Sequence, residues 1–282
     1  MKTYPLEQLA ASFIEKIVKT IPQRMEPVVF ASPLCARSSD MDLLWHPGYA
    51  SKHQLYLVVR YVNAIVWLSI KSFYRIIKGI RPLAYARYGK NYKSLFVMPS
   101  MTGYYHAESN TMETNYLERK SEEGLLVFGE INTCGPEEKM CNTMTIGIRI
   151  AMLYLLLIHG VRAWNRIRAP KFKDSFLILC SWINWCLRWS WIHDYYLGEI
   201  LKESIEQYRP KQIGCLHEMH FYSRLVWWVA AQYGIKTSTV QHAGISEGKR
   251  WYFSYPEEWR AGLQLPSVMY VYHHSLIELL KP

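Results

Sequence analysis

Two predicted strands in the carboxyl-terminal third of the chain end in residues that are able to move a proton. The run QIGCLHE (residues 212–218) carries Glu218 at its tip, and the run KTSTVQHAG (residues 236–244) carries His242. Because the carboxyl ends of consecutive βαβ strands open on the same edge of a sheet, we expect both side chains in one crevice. A carboxylate beside an imidazole removes a proton from a hydroxyl near neutral pH. The pair therefore predicts general-base catalysis.

Each of these residues has a structural alternative. Glu218 stands where an N-cap or first-turn acid would stabilise the following helix. His242 is also compatible with a turn histidine that is hydrogen-bonded to the backbone. Gly244 and Gly248 lie in a loop that is able to approach a ligand closely, but no phosphate-binding glycine motif accompanies them. His273 and His274 lack further ligands at metal spacing, so we predict no metal site.

Hydrophobic periodicity predicts the elements that position these tips. Helical spacing is present in 6–20, 53–80, 146–167 and 219–234, in an aromatic helical region over 176–208, and in a helical stretch from Asn115. Short apolar runs predict strands over 94–100, 125–131 and 267–274, and a further short strand over 27–32. Two strands joined by a connection of this length are typical of a parallel βαβ unit. We therefore expect an α/β fold with a Rossmann-like parallel sheet, flanking helices and long amphipathic helical segments.

The net charge of +10 is concentrated in two blocks. No acidic residue lies between Asp42 and Glu108, where there are nine basic residues, or between Glu138 and Asp174, where there are seven. Both blocks contain a long amphipathic helix, and each helix is interrupted by basic residues before it reaches the roughly 20 apolar residues of a bilayer span. We expect helices that lie in a membrane interface with their basic sides towards anionic phosphates. Core helices with a solvated basic face are the alternative.

Other features of the composition narrow the class of protein. Eleven tryptophans and twenty-one tyrosines suit membrane interfaces and sugar-binding clefts, because each side chain places an apolar body beside a polar tip. The six cysteines show no metal spacing and the first residues lack a signal-peptide core, which predicts reduced thiols in a cytoplasmic protein. No nucleic-acid-binding motif accompanies the basic blocks, so we do not expect nucleic acid as a partner.

The segment from Tyr208 to Leu280 resembles surface-carbohydrate biosynthesis proteins of the two-Rossmann-domain (GT-B) glycosyltransferase type. The resemblance rests on an acidic strand tip, a strand ending in QH, a basic-aromatic RWYF segment and a proline before the last strand. Here these are Glu218, Gln241-His242, residues 250–253 and Pro266. Residues 96–131 are similar to the family's opening strand–crossover–strand, more loosely. The usual QHG or QHS reads QHA in this chain.

The resemblance implies an acceptor-side domain for the synthesis of lipopolysaccharide, capsule or a similar glycan. Glu218 or His242 would deprotonate the acceptor hydroxyl, and Gln241, Gly244 and Ser246 would contact the acceptor. Arg224 and Arg250 are candidates for binding acceptor phosphate or carboxylate groups, with surface salt bridges as the alternative. Expected partners are an anionic membrane surface, a lipid-linked or glycan acceptor and a separate donor-binding domain. Localisation is expected at the inner face of the cell membrane.

The expected organisation is a basic, mostly helical region over residues 1–92 followed by a Rossmann-like domain over residues 93–282. The family continues into a second Rossmann domain that binds the sugar nucleotide, and this chain ends where that domain would begin. We therefore expect a fragment, a split enzyme or a domain repurposed for binding, and no cofactor beyond a donor held by a second domain. A non-catalytic membrane-associated scaffold of the same pathway is the rival interpretation.

Overall fold

The computed structural model describes most of the chain as helices and strands. It describes residues 5–36, 54–78, 83–88, 91–99, 103–106, 111–114, 118–119, 123–129, 139–141, 144–167, 171–216, 221–240 and 255–271.

The first described segment is helical throughout. Helix α1 (Pro5–Val18) confirms the prediction for residues 6–20, and a 3-10 turn, Gln23–Met25, leads into two short helices, α2 (Glu26–Phe30) and α3 (Pro33–Ala36). The strand predicted over residues 27–32 is therefore wrong. Pro27 occupies the first turn of α2, where its fixed φ suits a helix and its missing N–H has no intrahelical role. A short apolar run that is buried all round does not distinguish strand from helix.

Four long helices follow in the sequence order of the chain. They are α4 (Gln54–Lys78), α5 (Ile146–Trp164), α6 (Phe172–Arg188) and α7 (Trp191–Tyr208). The helices predicted over residues 53–80 and 146–167 are confirmed. The predicted helical region over residues 176–208 contains a break at Trp189, whose φ of 66° is left-handed and ends α6.

Helices α4 and α5 both pack against α6 and contact each other. The Oγ of Ser72 on α4 donates a hydrogen bond to the carbonyl of Leu187 at 3.0 Å. The indole Nε1 of Trp182 on α6 donates to the carbonyl of Leu156 on α5 at 2.9 Å. Gly160, one turn further along α5, leaves no room for a Cβ because the Trp182 ring lies directly over it. These contacts fix which side of α4 and of α5 faces the protein.

A seven-stranded sheet forms the other half of the fold. Its strands in chain order are β1 (Leu83–Tyr88), β2 (Asn91–Pro99), β6 (Glu123–Gly129), β7 (Lys139–Cys141), β8 (Gln212–Leu216), β9 (Lys236–Val240) and β10 (Val268–Tyr270), in the spatial order β10-β9-β8-β2-β6-β1-β7. The five strands from β10 to β6 are mutually parallel, and β1 is antiparallel to both of its neighbours. The fold is thus mixed α/β with a mostly parallel sheet flanked by helices.

The predicted βαβ unit in the carboxyl-terminal third is present. Helix α8 (Phe221–Gln232) connects β8 to β9 and packs on both strands, and it is followed by a positive φ of 65° at Gly234. A glycine in this position closes a helix at no steric cost. The short helix α9 (Pro256–Arg260) precedes β10.

The crossover between β2 and β6 differs from its prediction. Residues from Asn115 were expected to be helical, but Glu118–Arg119 form strand β5, and residues 115–117 and 120–122 lie outside the described part of the chain. Strand β5 belongs to a three-stranded antiparallel sheet with β3 (Gly103–His106) and β4 (Thr111–Thr114), which both precede Asn115. Met112 pairs with Arg119 in this sheet. Pairing with a neighbouring strand overrides the helix propensity of a short polar segment.

The two predicted regions share one hydrophobic core. The expected boundary at residues 92/93 falls within β2, and the described residues before it are mostly helical. The buried side chains of Phe13 and Val29 belong to the same core cluster as Val97, Ile213 and Val226. Phe13 meets the Trp182 ring edge-on, with centroids 5.6 Å apart. The amino-terminal helices therefore help to bury the sheet and its helices.

Candidate functional site

The carboxyl ends of the parallel strands lie at one edge of the sheet. The winding direction of the chain reverses at β2, because β6 lies on one side of it and β8, β9 and β10 follow in turn on the other. Ligands of open α/β sheets bind in the crevice at the carboxyl ends of the strands, where the strand order reverses. Residues 217–220 and 241–254, which carry the predicted catalytic residues, follow β8 and β9 in sequence and lie outside the described residues. A crevice at this edge therefore stays a prediction.

The predicted catalytic pair follows two strand ends that are hydrogen-bonded neighbours. Leu216 of β8 and Val240 of β9 are Cα partners in the parallel ladder. Glu218 and His242 each lie two residues beyond these partners in sequence, outside the described residues. The two predicted bases thus start from equivalent points on adjacent strands, and their sharing of one site stays a prediction.

Most predicted acceptor-binding residues also lie outside the described part of the chain. These are Gln241, Gly244, Ser246 and Arg250. Arg224 is described, and its position differs from the expected surface location. It is the fourth residue of α8, it is 1% exposed, and its Nη1 donates to the Sγ of Cys35 at 4.0 Å. The surface salt bridge considered for Arg224 is therefore wrong, whereas its role towards an acceptor stays a prediction.

Arg224 belongs to a cluster of polar side chains inside the protein. We call this set the buried polar cluster; its members are Glu7, Cys35, Arg224, Tyr255 and Glu258, all less than a tenth exposed. The Cys35 thiol donates to Oε1 of Glu258 at 3.8 Å, and Oε2 of Glu258 accepts the backbone N–H of Tyr255 at 2.9 Å. The Tyr255 hydroxyl donates to Oε2 of Glu7 at 2.7 Å. Hydrogen bonds to the two buried carboxylates from Tyr255 limit the cost of burying them.

The buried polar cluster connects the far ends of the two loops. Arg224 lies just after residues 217–220, and Tyr255 directly follows residues 241–254. The near ends of the same segments are joined by the pairing of Leu216 with Val240. An ion pair between Glu15 on α1 and Arg260 on α9, at 3.2 Å, adds a second attachment after the longer segment. The described residues that flank the segments of Glu218 and His242 are therefore linked on both sides, before them by strand pairing and after them through Cys35 and Glu258.

Sequence reasoning did not identify this cluster. Glu7 and Tyr255 are separated by 248 positions, and no spacing rule relates them. An acidic residue in the first turn of an amphipathic helix is ordinarily read as favourable to the helix dipole. The only signal in the sequence was Arg224 within an otherwise apolar helix, because a buried arginine requires partners.

Buried thiols are present among the described residues. They belong to Cys35, Cys180, Cys186 and Cys215. Burial raises the pKa of the Cys180 thiol to about 11 and that of Cys186 well above its ordinary value, which disfavours thiolate chemistry. Within the ranges that the structure describes, no three histidine, cysteine or acidic side chains form a group able to hold a metal ion.

The two long amphipathic helices expose apolar faces. Leu55–Arg75 of α4 and Ile146–Trp164 of α5 are long and apolar enough to cross a membrane by length and composition, a test that core helices of soluble proteins also pass. Only 17% and 33% of these windows are buried. Their outward sides carry mainly apolar residues, which does not fit the alternative of core helices with a solvated basic face, and the membrane-interface location stays a prediction. On α5, Arg149 and His159 are buried on the protein side.

Burial of His159 has a defined partner and an electrostatic effect. Its Nδ1 lies 2.9 Å from the Oγ1 of Thr20, which follows α1. Desolvation, with a smaller contribution from the nearby charge of Arg162, lowers the pKa of His159 below its ordinary value. The neutral imidazole is thus favoured, and His159 joins α5 to the amino-terminal helices.

Comparison with known proteins gives no match. No family model, no curated protein and no solved structure is significantly similar to this chain.

Proposed function

We propose that this chain is the acceptor-side domain of a glycosyltransferase-like protein that builds bacterial surface polysaccharide, such as lipopolysaccharide or capsule. In this proposal the parallel strands form a Rossmann-like domain of the GT-B type. The observation that carries the proposal is the double attachment of the two predicted catalytic segments. Leu216 and Val240 pair where the segments begin, and the buried polar cluster joins Arg224 to Tyr255 where they end.

Preorganisation is the physical reason why this attachment supports catalysis. A general base accelerates a reaction only if it is held within hydrogen-bond reach of the proton that it removes. Long loops with free ends would lose conformational entropy each time the acceptor bound. Fixing both ends of each segment lowers that cost and favours one crevice for Glu218 and His242.

The proposed reaction transfers a sugar to an acceptor hydroxyl. Glu218 or His242 takes the hydroxyl proton while the acceptor oxygen forms a bond to the anomeric carbon of the donor. The bond from that carbon to the donor's phosphate breaks, and the phosphate leaves with the electron pair. Gln241, Gly244, Ser246 and Arg250 contact the acceptor. A sugar nucleotide donor is bound by a second domain or a partner chain, which stabilises the leaving phosphate.

The proposed setting is the inner face of the cell membrane. The acceptor is lipid-linked or a growing glycan, and the basic blocks attract the protein to an anionic membrane surface. No nucleic acid takes part. This setting agrees with the low burial of α4 and α5, which leaves their apolar and basic side chains accessible.

A non-catalytic, membrane-associated scaffold of the same pathway is the second candidate. The observation that favours it is the same exposed helical surface, which serves membrane attachment whether or not glycosyl transfer occurs. The scaffold requires no chemistry from Glu218 or His242. The two candidates therefore differ in what a substitution at these residues does.

An assay of glycosyl transfer tests the proposal. We expect the isolated chain to bind UDP-, GDP-, CDP- and CMP-sugars weakly by calorimetry and not to turn them over. With a donor-binding partner supplied and a lipid-linked acceptor, we expect transfer that falls about 100-fold or more in Glu218→Gln or His242→Ala, as is typical when a general base is lost.

Glu199→Gln is the matched control, because Glu199 lies on the solvent side of α7 in an ion pair with Lys202. It should leave transfer unchanged. Equal activity of all three variants would overturn the catalytic assignment. Membrane binding without transfer, whatever donor-binding partner is supplied, would favour the scaffold.

A further inference from the structure

Exposed hydrophobic side chains are concentrated on two neighbouring helices. Of the nineteen large hydrophobic residues that are exposed in the described part of the chain, fourteen lie on α4 and α5. They are Leu55, Tyr56, Val59, Val62, Val66, Trp67, Ile70, Phe73, Tyr74, Ile146, Ile148, Ile150, Tyr154 and Val161. Single exposed hydrophobic residues are ordinary, but a contiguous set marks an interaction surface.

Helix α4 carries two apolar stripes on opposite sides. At 100° per residue, Leu57 and Tyr61 fall on the side that faces α6, and they are buried. Val66, Ile70 and Phe73 fall on the opposite side, with exposed fractions of 58%, 63% and 68%. A helix that is apolar on both sides needs a second partner besides the one that covers its inner face.

Aromatic and basic side chains border the exposed stripe in a fixed order. Tyr56, Trp67 and Tyr74 lie on one flank of it at similar helical angles, and all three are more than half exposed. Arg60 and Lys71 lie beyond the aromatic residues, and the Nζ of Lys71 is 5.0 Å from the centre of the Trp67 ring. Side chains at a membrane surface follow the same order: apolar residues contact the acyl chains, amphipathic aromatic rings lie at the interface, and cations contact the phosphates.

Helix α5, which lies beside α4, also has a covered inner side and an exposed apolar outer side with a basic residue at its border. Its outward side carries Ile150, Tyr154 and Val161, all exposed, with Arg162 at the border. Its inward side carries His159 and the carbonyl of Leu156, each hydrogen-bonded to the protein. Because both helices contact α6 with their inner sides, their apolar sides face away from the other helices and strands that the structure describes.

The inner contacts of α4 include several polar groups that hold it along α6. Trp189 Nε1 donates to the Oγ of Ser72 at 3.0 Å, and that hydroxyl in turn donates to the carbonyl of Leu187. Arg75 Nη1 donates to the carbonyl of Arg188 at 2.6 Å. A helix that crossed a bilayer would lose these bonds and carry Arg60 and Lys71 into hydrocarbon. The geometry therefore favours helices that lie along a surface.

We propose that the outer sides of α4 and α5 form one monotopic docking surface, which inserts into the boundary between headgroups and acyl chains of an anionic bilayer. Neither helix contains an acidic residue. A second copy docked face to face would bring Arg60, Lys71 and Arg162 against their own equivalents without compensating charge. Anionic lipid phosphates supply that charge, at about 1 kcal/mol per basic residue near the surface.

The proposal deepens the membrane setting given above and rests on it, but it does not depend on glycosyl transfer. It adds that α4 and α5 act as one surface and names the side chains whose insertion binding requires, whereas electrostatic attraction by the basic blocks would suffice for a location at the membrane. Binding to lipid vesicles distinguishes apolar insertion from electrostatic attraction. Glycosyl transfer is measured in a separate assay.

Sedimentation of the full chain with vesicles of phosphatidylcholine and phosphatidylglycerol is the first test. The double variant Ile70→Ser/Phe73→Ser should bind about tenfold more weakly at moderate salt, because two exposed apolar side chains no longer insert. Val268→Ser/Tyr270→Ser on β10 is the matched control, since these residues are also exposed, at 46% and 57%, and lie on a different element. It should bind like the unmodified protein. Circular dichroism checks that all variants are folded.

The basic border is tested by Arg60→Gln/Lys71→Gln. This variant should bind more weakly at low salt and show a smaller loss of binding as salt is added, because screening removes only the charge term. The apolar variant should keep the full salt dependence. Salt-sensitive binding that is unchanged by Ile70→Ser/Phe73→Ser would overturn insertion and leave electrostatic attachment standing.

The depth of α4 in the bilayer is measured with a nitroxide label attached to Ile70→Cys. The labelled protein also carries Cys134→Ser and Cys141→Ser, so that the introduced cysteine is labelled; the other four cysteines are buried. The label's relative accessibility to oxygen and to a polar relaxation agent should place it roughly 5–10 Å below the phosphates, as for an interfacial helix. A label at Val268→Cys should remain in water. A position near the bilayer centre would indicate a spanning helix and overturn the proposal, as would a dimer in solution that the apolar variant dissociates.

Discussion

Helices α4 and α8 have similarly apolar sequences and opposite surroundings. In α8, residues 222–230 are all buried, because the helix packs on β8 and β9 with one side and on α2 and α7 with others. In α4, the contacts with α5 and α6 cover one side and leave the other exposed. Trp227 on α8 is 1% exposed and Trp67 on α4 is 58% exposed. Burial is decided by the number of elements that surround a helix, not by its composition.

In the function proposed above, this difference gives each region a distinct task. The surroundings of α8 stabilise the fold and include the buried polar cluster, which joins the ends of the predicted catalytic segments. The outer sides of α4 and α5 contribute little to the core and remain available for a partner. A protein that needs a catalytic edge and a membrane surface gains from keeping them on different elements.

The largest difference between α8 and α4 is expected when Trp227 and Trp67 are each replaced by alanine. Trp227→Ala should lower the free energy of unfolding by about 3–5 kcal/mol, because a large buried side chain leaves a cavity. Trp67→Ala should change it by less than about 0.5 kcal/mol, as is usual at exposed positions. Urea denaturation of both variants measures the two values. Similar losses would mean that the outer side of α4 is covered in solution.

Glycine substitutions in α5 test its two sides separately. A Cβ at Gly160 would overlap the Trp182 ring, so Gly160→Ala should cost about 2–3 kcal/mol through displacement of that ring and its hydrogen bond to Leu156. Gly147→Ala is the matched control, because its nearest neighbour is the Oγ1 of Thr145 at 4.0 Å. The control should be neutral or slightly stabilising, since alanine has the higher helix propensity.

Thermal unfolding is a suitable measurement for this pair. The control, Gly147→Ala, measures the effect of alanine on the stability of α5 where the added Cβ overlaps no other atom. If Gly160→Ala were tolerated as well as Gly147→Ala, α5 would not be held against α6 in the manner described, and the assignment of its outer side would have to change.

A smaller effect is expected at Asp194 on α7, which is 4% exposed. Burial raises the pKa of its carboxyl group well above the ordinary value of 3.8. A raised pKa in the folded state means that the unfolded chain loses the proton first. Asp194 therefore destabilises the fold progressively as pH rises above about 4, until the folded pKa is reached.

Asp194→Asn removes this dependence. The variant should be more stable than the unmodified protein at pH 7, because it has no carboxyl group whose charged form is disfavoured by burial. The difference should disappear near pH 3, where the carboxyl group is protonated in both states. Denaturation midpoints at several pH values test this, and a constant or reversed difference would show that the carboxylate is stabilised in the fold.

Much of the secondary structure was predictable because it depends on local patterns. The 3.6-residue period located α1, α4, α5 and α8, and short apolar runs located β2, β6, β8, β9 and β10. The errors occurred where contacts distant in sequence decide the outcome. Residues 27–30 are helical, β5 lies within a predicted helix, and β1 and β7 join the sheet without having been predicted. A short segment has too little local preference to determine its own structure.

The sequence by itself determined that Glu218 and His242 come two residues after β8 and β9, that α4 and α5 contain no acidic residue, and that both helices are apolar. Only the tertiary structure decided which apolar side of α4 is covered by α6 and which remains exposed. It also brought Glu7 to Tyr255 and Arg224 to Cys35, pairs that lie 248 and 189 positions apart. The physical reason is that periodicity shows how many faces of a helix are apolar, whereas the arrangement of all elements determines which of those faces find a partner.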